Sequence, residues 1–218
     1  MIEIKGLDIL PYYKELLNSK KNYSVINHNN KTYILTKEYS CFEVDDLEKF
    51  EADFKNDEFY STDFVDGKIS ELVTSEDLLV YNHLLKRYKT YFIPNELGLI
   101  FGCLAVRGKD CYITTTRGKK DLLSMCFVKS VDHENRKIQV LKQAVNTFEK
   151  EEKSTLNMPL LDYIFKTNPG VKAIIHYHSD KSVGPTLPYA FPGTVRDSIR
   201  NINTNFEIEH HGQFILIR

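Results

Sequence analysis

The amino-acid sequence predicts an α/β protein with a central, mainly antiparallel sheet and flanking helices, preceded by a small α+β unit. Four short β-rich segments follow one another between residues 102 and 142. Turn residues separate them, which is typical of an antiparallel meander. Helical periodicity appears before this region, at 74–88, and after it, at 157–167. We therefore divide the chain into an N-terminal α+β appendage, 1–73, and a larger domain, 74–218.

The composition is that of an ordinary globular protein. Of the 218 residues, 42% are apolar and 27% are charged, and the formal net charge is −1. Because acidic and basic residues are interspersed along the chain, the sequence does not predict a basic surface of the kind that binds nucleic acid. No apolar run approaches the roughly 18 residues of a membrane span, and no signal-peptide pattern is visible. We expect a soluble, cytoplasmic protein without nucleic-acid or membrane partners, whose four scattered cysteines are thiols rather than disulfides.

The appendage is predicted to contain two helices and a hairpin. Apolar residues have helical spacing in 8–19 and again in 43–56. Between them, 23–35 contains two β-rich runs around Asn29-Asn30, and asparagine tolerates the positive φ angles of a tight hairpin turn. These elements carry no combination of residues typical of catalysis or ligand binding. We interpret the appendage as a packing or assembly element.

The larger domain is predicted to begin with a helix. Thr74 suits its N-cap and Asp77 stands at the third helical position, which is a capping-box pattern. A second helix has Pro159 in its first turn and ends at Asn168-Pro169-Gly170. The remaining predicted elements are strands at 102–107, 111–116, 126–132, 137–142, 171–178, 206–211 and 213–218, and a helix at 195–202.

The segment VKAIIHYHSD, residues 171–180, ends an apolar strand with two histidines. On a strand, His176 and His178 project from the same face about 7 Å apart, a spacing that permits both to bind one metal ion. His211 is a candidate third ligand, because Gly212 permits a sharp backbone bend that turns His211 inward. Three histidines leave a coordination position for substrate, which is typical of catalytic zinc sites. The alternative is that all three are ordinary polar residues at strand ends.

Four segments of the larger domain occur in a recognisable order: RGKDCYITTTRG (107–118), NPGVKAIIHYHS (168–179), PYAFPGT (188–194) and EHHGQF (209–214). Over roughly residues 75–218 the chain resembles the class II aldolase/adducin family, which includes aldolases and epimerases of sugar phosphates. The resemblance implies a three-layer sandwich with helices on both sides of the sheet, and a homo-oligomer, usually a tetramer. It also implies that His176, His178 and His211 bind Zn²⁺ or another divalent transition metal, which holds the carbonyl and adjacent hydroxyl of a sugar-phosphate-like substrate.

The sequence departs from the family at the position of the catalytic acid/base. The family's carboxylate falls at Asn157, and an amide does not transfer protons at neutral pH. Asn157 is therefore a candidate for orienting the substrate or a water molecule rather than for acting as a base. Asp162, about one helical turn onward, is a candidate replacement. The chain also ends at Arg218, without the C-terminal helices that the family carries.

The predicted anion site departs from the family pattern as well. Where many members have Gly-Asn before the first strand pair and Ser-Ser before the acid, this chain has Gly-Cys and Thr-Leu. The hydroxyls, guanidinium and backbone amide of the TTTRG segment could hold a phosphate or carboxylate group. The alternative is a strand that ends in a solvated basic turn. The candidate substrate-binding residues are Gly102, Cys103, Thr115, Thr116, Arg117, Gly118 and Thr155.

Two functions from different classes remain open. The first is a metal-dependent lyase or epimerase of a small phosphorylated or acidic sugar, in which the metal stabilises an enediolate. The second is a non-catalytic, adducin-like scaffold that keeps the fold without the acid/base carboxylate. We favour the enzyme, because a scaffold has little reason to keep three metal-binding histidines.

Overall fold

The computed structural model describes residues 4–117, 124–145, 148–150, 152–179 and 181–218. The chain divides into two compact units, one ending at Asp57 and one beginning at Glu58. This division falls ahead of the boundary expected between residues 73 and 74. The reason is that a strand at Ser61–Val65 pairs with Lys137–Leu141 in the large sheet, which joins the segment after Asp57 to the larger unit.

The unit that ends at Asp57 is a three-stranded antiparallel sheet with two helices. Its hairpin turn lies at Asn29 and Asn30, which have φ angles of 49° and 59°. The second helix begins after Asp46, whose side chain accepts a hydrogen bond from the Lys49 amide at 2.8 Å. The two predicted helices and the hairpin are confirmed. The elements are α1 (Leu10–Asn18), β1 (Tyr23–His28), β2 (Lys31–Thr36), β3 (Cys41–Val44) and α2 (Leu47–Asn56).

The larger unit is built on one large sheet. Its elements are β4 (Ser61–Val65), α3 (Ile69–Leu72), α4 (Ser75–Tyr88), β5 (Cys103–Arg107), β6 (Tyr112–Thr115), β7 (Met125–Asp132), β8 (Lys137–Leu141), β9 (Gln143–Val145), β10 (Phe148–Lys150), α5 (Met158–Thr167), β11 (Ala173–Tyr177), β12 (Thr186–Leu187), α6 (Val195–Ser198), β13 (Phe206–Ile208) and β14 (Gly212–Ile217). Nine strands form the sheet, in the order β12-β13-β14-β11-β5-β6-β7-β8-β4. Neighbours are antiparallel except at the edges, where β12 runs parallel to β13 and β4 to β8. The predicted mainly antiparallel sheet, with β5 to β8 as a meander, is confirmed.

Helices cover both faces of this sheet. Side chains of β11 alternate between the faces, as the pleat requires. Ile174 packs in one core with Leu161 and Phe165 of α5, whereas Ile175 packs in a second core with Tyr81 and Leu85 of α4. The structure is therefore a three-layer sandwich, with the sheet between two layers of helices.

Side-chain hydrogen bonds occur at the start of α4 and at the end of α6. At the start of α4, the Thr74 hydroxyl accepts from the Asp77 amide at 3.1 Å and the Asp77 carboxylate accepts from the Thr74 amide at 2.8 Å, so the predicted capping box is confirmed. The helix predicted at 195–202 is shorter, because Ile199, with a ψ of 84°, leaves the helical conformation. Arg200 Nε then donates to the Asp197 carbonyl at 3.0 Å. None of the described helices combines the length and apolar composition needed to cross a bilayer.

A buried carboxylate anchors α5 to the sheet. Asp162 Oδ1 accepts a hydrogen bond from the Tyr112 hydroxyl of β6 at 2.8 Å. Its Oδ2 accepts from His133 Nε2 at 2.7 Å and from Lys166 Nζ at 2.8 Å. Burial by itself would raise the pKa of Asp162, but the hydrogen bonds from His133, Lys166 and Tyr112 bring it below its ordinary value. The ionised carboxylate is therefore the form that stabilises the fold.

Replacing Asp162 by asparagine should lower the free energy of unfolding by roughly 2–3 kcal/mol at pH 7, because hydrogen bonds to a buried charge are lost. Since the pKa of Asp162 is lower in the folded than in the unfolded chain, its contribution is present above about pH 4 and is lost as the pH falls through the folded-state pKa. Urea unfolding of both proteins at pH 7 and at about pH 3 measures this difference.

The control for this experiment is Asp63→Asn. It removes an exposed ion pair with Lys137, and such pairs contribute less than about 1 kcal/mol. A loss of stability in Asp162→Asn that is the same at both pH values, or no larger than in the control, would contradict the role of the ionised carboxylate.

Candidate metal centre

His176 occupies a central position of the large sheet. Because β11 lies between β14 and β5, His176 pairs with Phe214 on one side and with Cys103 on the other. Its side chain is 1% exposed, and its Nδ1 lies 3.1 Å from the carbonyl oxygen of Gln213. A carbonyl oxygen accepts hydrogen bonds and cannot donate them. Nδ1 therefore carries the proton, and Nε2 keeps its lone pair for a metal ion.

An aromatic stack fixes the plane of this imidazole. The ring centroids of His176 and Phe214 are 4.2 Å apart with an interplanar angle of 17°, and Phe214 stacks in turn on Phe206 at 4.5 Å and 6°. Phe214 also packs against the His211 ring at 5.8 Å and 89°. Such contacts restrict ring rotation and stabilise the aromatic pairs beyond their buried area. β14 therefore supports two of the three candidate ligands.

His211 reaches the centre from the turn between β13 and β14. Ile208 pairs with Gly212 across this turn, and the His211 amide donates to the Ile208 carbonyl at 3.1 Å. His210 has a φ of 56° and Gly212 a φ of 141°, and positive φ is typical of three-residue hairpin loops. The strand predicted at 206–211 thus ends at Ile208, because the following residues form the bend that was expected from Gly212.

Glycine at 212 lets the backbone pass directly beside the other two histidines. A Cβ atom at this position would lie 2.6 Å from the Tyr177 carbonyl oxygen, 3.0 Å from Cε1 of His176 and 3.2 Å from Cδ2 of His178. At the residue that precedes β5, a Cβ at Gly102 would clash with the His176 carbonyl oxygen. Both glycines have positive φ, so backbone conformation and space each exclude a side chain there.

The three imidazoles converge within reach of one metal ion. Their candidate ligand atoms all lie within 4.8 Å of one another. The ring centroids are 5.0 Å apart for His176 and His178, 4.7 Å for His176 and His211, and 5.9 Å for His178 and His211. Two nitrogens bound to one zinc ion lie about 3.4 Å apart, so closure requires movements of at most about 1.4 Å. Among the described residues this is the one such group of histidine, cysteine or carboxylate side chains.

Burial keeps His211 neutral. Its side chain is 3% exposed, and burial, followed by the neighbouring His178 and Arg200, holds its pKa well below the ordinary value. A neutral imidazole is the form that binds metal. The Nδ1 atom is buried and has no hydrogen-bond partner in the described part of the chain, a situation that costs about 1–3 kcal/mol unless a ligand satisfies it. The donor set therefore fits a divalent transition-metal ion, since imidazole nitrogen suits such ions.

Asn157 presents a second unsatisfied polar atom. It is buried at the N-terminus of α5, where its side chain does not cap the helix. The side-chain Oδ1 of Asn157 has no hydrogen-bond partner within the described ranges. The backbone N–H of Asn157 donates to Thr155 Oγ1 at 3.3 Å. A buried amide oxygen of this kind can accept a hydrogen bond from a substrate hydroxyl or a water molecule.

Two segments that were predicted to hold an anion lie side by side. Thr116 and Ser154 form a β-bridge, and the Nε atom of Arg117 donates to the Ser154 carbonyl at 3.3 Å. Thr155 follows Ser154 directly and is buried. The bridge therefore brings the end of the TTTRG segment next to Thr155, although the two are far apart in sequence.

Other candidates for substrate binding have different surroundings. The Thr115 hydroxyl accepts a hydrogen bond from the Leu104 amide at 3.3 Å, so it supports the pairing of β5 with β6. Cys103 is buried directly opposite His176, and paired residues share one face of the sheet. Its thiol is nevertheless not among the clustered ligand atoms. Gly118 lies outside the described residues.

Asp162 lies away from the three histidines. Its partner Tyr112 pairs with Arg107, at the opposite end of β5 from Cys103. The four residue steps along this strand span about 13 Å, and both carboxylate oxygens already accept hydrogen bonds. The structure does not bring Asp162 to the candidate centre. Asp162 links α5 to the sheet. It therefore does not act as the replacement that was expected for the acid/base carboxylate at position 157.

The sequence does not predict that three further residues lie beside the candidate metal centre. Phe214 and Gln213 contact the histidines only because β14 pairs with β11 in one particular register. The available signal for Gln213 was a single polar side chain at the start of the apolar run QFILIR. Arg200 influences His211 from the loop after α6, and no local sequence pattern identifies that approach.

The fold and the cluster together define a three-layer α/β protein with a candidate three-histidine metal centre. No protein-family model matches the chain, and no curated protein matches it with significant sequence similarity. Three solved structures that align with it are L-fuculose 1-phosphate aldolase (15% identity, TM-score 0.46, 68% of this chain and 78% of that chain), YgbL of Escherichia coli (16%, 0.45, 66% and 80%) and L-fuculose-1-phosphate aldolase of Thermus thermophilus (12%, 0.40, 65% and 79%). With such identities and scores, these alignments assign neither an activity nor a ligand to this chain.

The variant Gly212→Ala should weaken zinc binding by at least about tenfold and lower the free energy of unfolding by roughly 1–3 kcal/mol. The added Cβ enters the space between the imidazoles, and alanine is strained at positive φ. Competition with a chromophoric chelator measures zinc affinity, and urea unfolding of the metal-free protein measures stability.

A matched control is Gly98→Ala, because Gly98 also has a positive φ, 71°, but no neighbouring atom within 4 Å of an added Cβ. It reports backbone strain alone and should leave zinc affinity unchanged. Unaltered zinc affinity in Gly212→Ala would show that the imidazoles do not crowd this glycine.

Proposed function

We propose that this protein is a metal-dependent lyase or epimerase that acts on a small phosphorylated or acidic sugar. The observation that supports the proposal most is the convergence of His176, His178 and His211, with ligand atoms within 4.8 Å of one another. His178 is exposed and the other two are buried, so an ion held by all three would be accessible from one side. Three protein ligands and an accessible position are typical of catalytic rather than structural zinc sites.

The proposed cofactor is Zn²⁺ or another divalent transition metal, because these ions favour imidazole ligands. When bound, the ion supplies Lewis-acid stabilisation of the negative charge that develops on a substrate oxygen. His176 would bind through Nε2, since its Nδ1 donates to the Gln213 carbonyl.

The substrate is proposed to lie against Asn157 and the end of β6. The buried Oδ1 of Asn157 would accept a hydrogen bond from a sugar hydroxyl and orient it. The hydroxyl of Thr116, the guanidinium of Arg117 and the backbone amide of Gly118 would hold the phosphate or carboxylate end. An amide cannot remove a proton, so the proton passes to water or to another side chain.

A scaffold without catalytic activity is the alternative function. No observation on the structure favours it. His176 and His211 are both buried, and the Nδ1 of His211 has no partner among the described residues, an arrangement that destabilises a protein which never binds a ligand there.

We further propose a cytoplasmic homo-oligomer. All four cysteines lie in the described part of the chain and none forms a disulfide, which suits a reducing compartment. The homo-oligomer is what the resemblance of residues 75–218 to the class II aldolase/adducin family implies. Light scattering of the purified protein should give a mass above that of one chain, and a monomer at every concentration tested would contradict this part of the proposal.

The variant His178→Ala should lose the metal and abolish turnover while keeping the fold, because His178 is an exposed side chain beyond the end of β11. Elemental analysis of protein purified without chelators should find about one equivalent of metal in the wild type and almost none in the variant. A screen of sugar phosphates for retro-aldol and epimerase activity measures turnover. His83→Ala, which changes an exposed histidine on α4, is the control and should behave as the wild type.

A His178→Ala protein that still binds a full equivalent of metal would refute the ligand assignment, and a wild type that binds none after incubation with zinc would refute the proposed function. In the same screen, Asn157→Asp should change kcat or the product, because a carboxylate at this position can accept a proton. Unchanged kinetics would mean that Asn157 does not face the substrate.

A further inference from the structure

Gln213 of β14 lies opposite the residue that separates His176 from His178 in the chain. It pairs with Tyr177, the last residue of β11, and its side chain is 6% exposed. Its backbone carbonyl accepts the hydrogen bond from His176 Nδ1 at 3.1 Å. A buried carboxamide has to satisfy its own hydrogen-bonding groups, and the partners it uses show what it holds in place.

The carboxamide of Gln213 is bonded twice to the backbone of one residue, Ser179. Its Oε1 accepts from the Ser179 amide at 2.9 Å, and its Nε2 donates to the Ser179 carbonyl oxygen. A carboxamide that forms hydrogen bonds to both the N–H and the C=O of one residue takes the place that the backbone of a neighbouring strand would occupy. It does so where the neighbouring strand is missing, because the chain before Gly212 leaves the sheet in the turn that carries His211.

His178 lies between the two residues that Gln213 holds. On its N-terminal side, Tyr177 is fixed by strand pairing with Gln213, and on its C-terminal side Ser179 is fixed by the carboxamide. His178 itself is exposed and follows the end of β11. Without the second attachment, the backbone at this point would be a strand end with freedom to move, and fixing one residue costs about 1–2 kcal/mol of conformational entropy.

We infer that Gln213 is a positioning residue of the metal centre, which orients His176 through its backbone carbonyl and His178 through its carboxamide. The inference rests on the proposed function, since it assigns a role toward the metal that the three histidines would bind. Partners of metal-binding histidines of this kind typically alter metal affinity by about 10–100-fold when they are replaced.

The test is the variant Gln213→Met, which is similar in size and removes both hydrogen bonds to Ser179 while leaving the backbone carbonyl in place. The dissociation constants for Zn²⁺ and Co²⁺, measured by competition with a chromophoric chelator, should rise by about 10–100-fold. The visible absorption of the Co²⁺ protein should change as well, because it reports ligand geometry. In the metal-free protein, hydrogen exchange at the Ser179 amide should become faster.

A purely structural role for Gln213 is distinguished by the control Ile215→Ala. Ile215 lies two residues along the same strand, on the same face, and pairs with Ile175 rather than with the histidine segment. It should lower the free energy of unfolding without changing either dissociation constant. Gln213→Glu, which keeps an acceptor for the Ser179 amide, should bind metal with an affinity between those of Gln213→Met and the wild type.

Unchanged metal affinity in Gln213→Met, with a wild type that binds metal tightly, would overturn this inference and leave the proposed function standing. An equal loss of affinity in Gln213→Met and Ile215→Ala would also overturn it, because general loosening of β14 would then explain both. A wild type that binds no metal would overturn the proposed function and this inference together.

Discussion

The pairing of β11 with β14 is the interaction on which the candidate metal centre depends. Because His176 pairs with Phe214, the end of β11 meets the turn that carries His211, and the third imidazole arrives without any further element. The same pairing supplies a carbonyl acceptor for His176 Nδ1 and an aromatic ring that stacks on its imidazole. Glycine at 212 is the condition for so close an approach. The pairing of β11 with β14 therefore sets the position, the tautomer and the ring plane of His176.

Asp162 and the residues of the candidate site differ in how their buried polar atoms are satisfied. At Asp162, both carboxylate oxygens accept hydrogen bonds, which lower the pKa and anchor α5. At His211 and Asn157, by contrast, buried polar atoms have no partner among the described residues. Native proteins satisfy nearly all their buried polar groups, so an unsatisfied atom needs an explanation. At His211, whose ligand atom lies within 4.8 Å of those of two further histidines, a bound metal ion supplies one. This contrast separates a structural carboxylate from a candidate binding site, although both involve buried ionisable side chains.

Features with local causes could be predicted from the sequence. The turn at Asn29-Asn30 and the capping box at Thr74 depend on residues within one turn of each other, and the shared face of His176 and His178 follows from strand periodicity. Features that depend on strand register could not be predicted, because no local pattern encodes which strands pair. The contact of Gln213 with Ser179 and the distance of Asp162 from the histidines are of this kind. So is the boundary after Asp57, which the parallel pairing of β4 with β8 determines.

X-ray absorption spectroscopy of the zinc-loaded protein at the zinc K edge tests most directly whether the three imidazoles form one metal centre. The geometry predicts three nitrogen ligands at about 2.0–2.1 Å, with the multiple scattering that imidazole rings produce, and oxygen from solvent in the remaining position. A coordination shell that contains sulfur, or one without imidazole scattering, would contradict it. The ion would then lie at a cysteine or on the protein surface, and the convergence of the three histidines would have another cause.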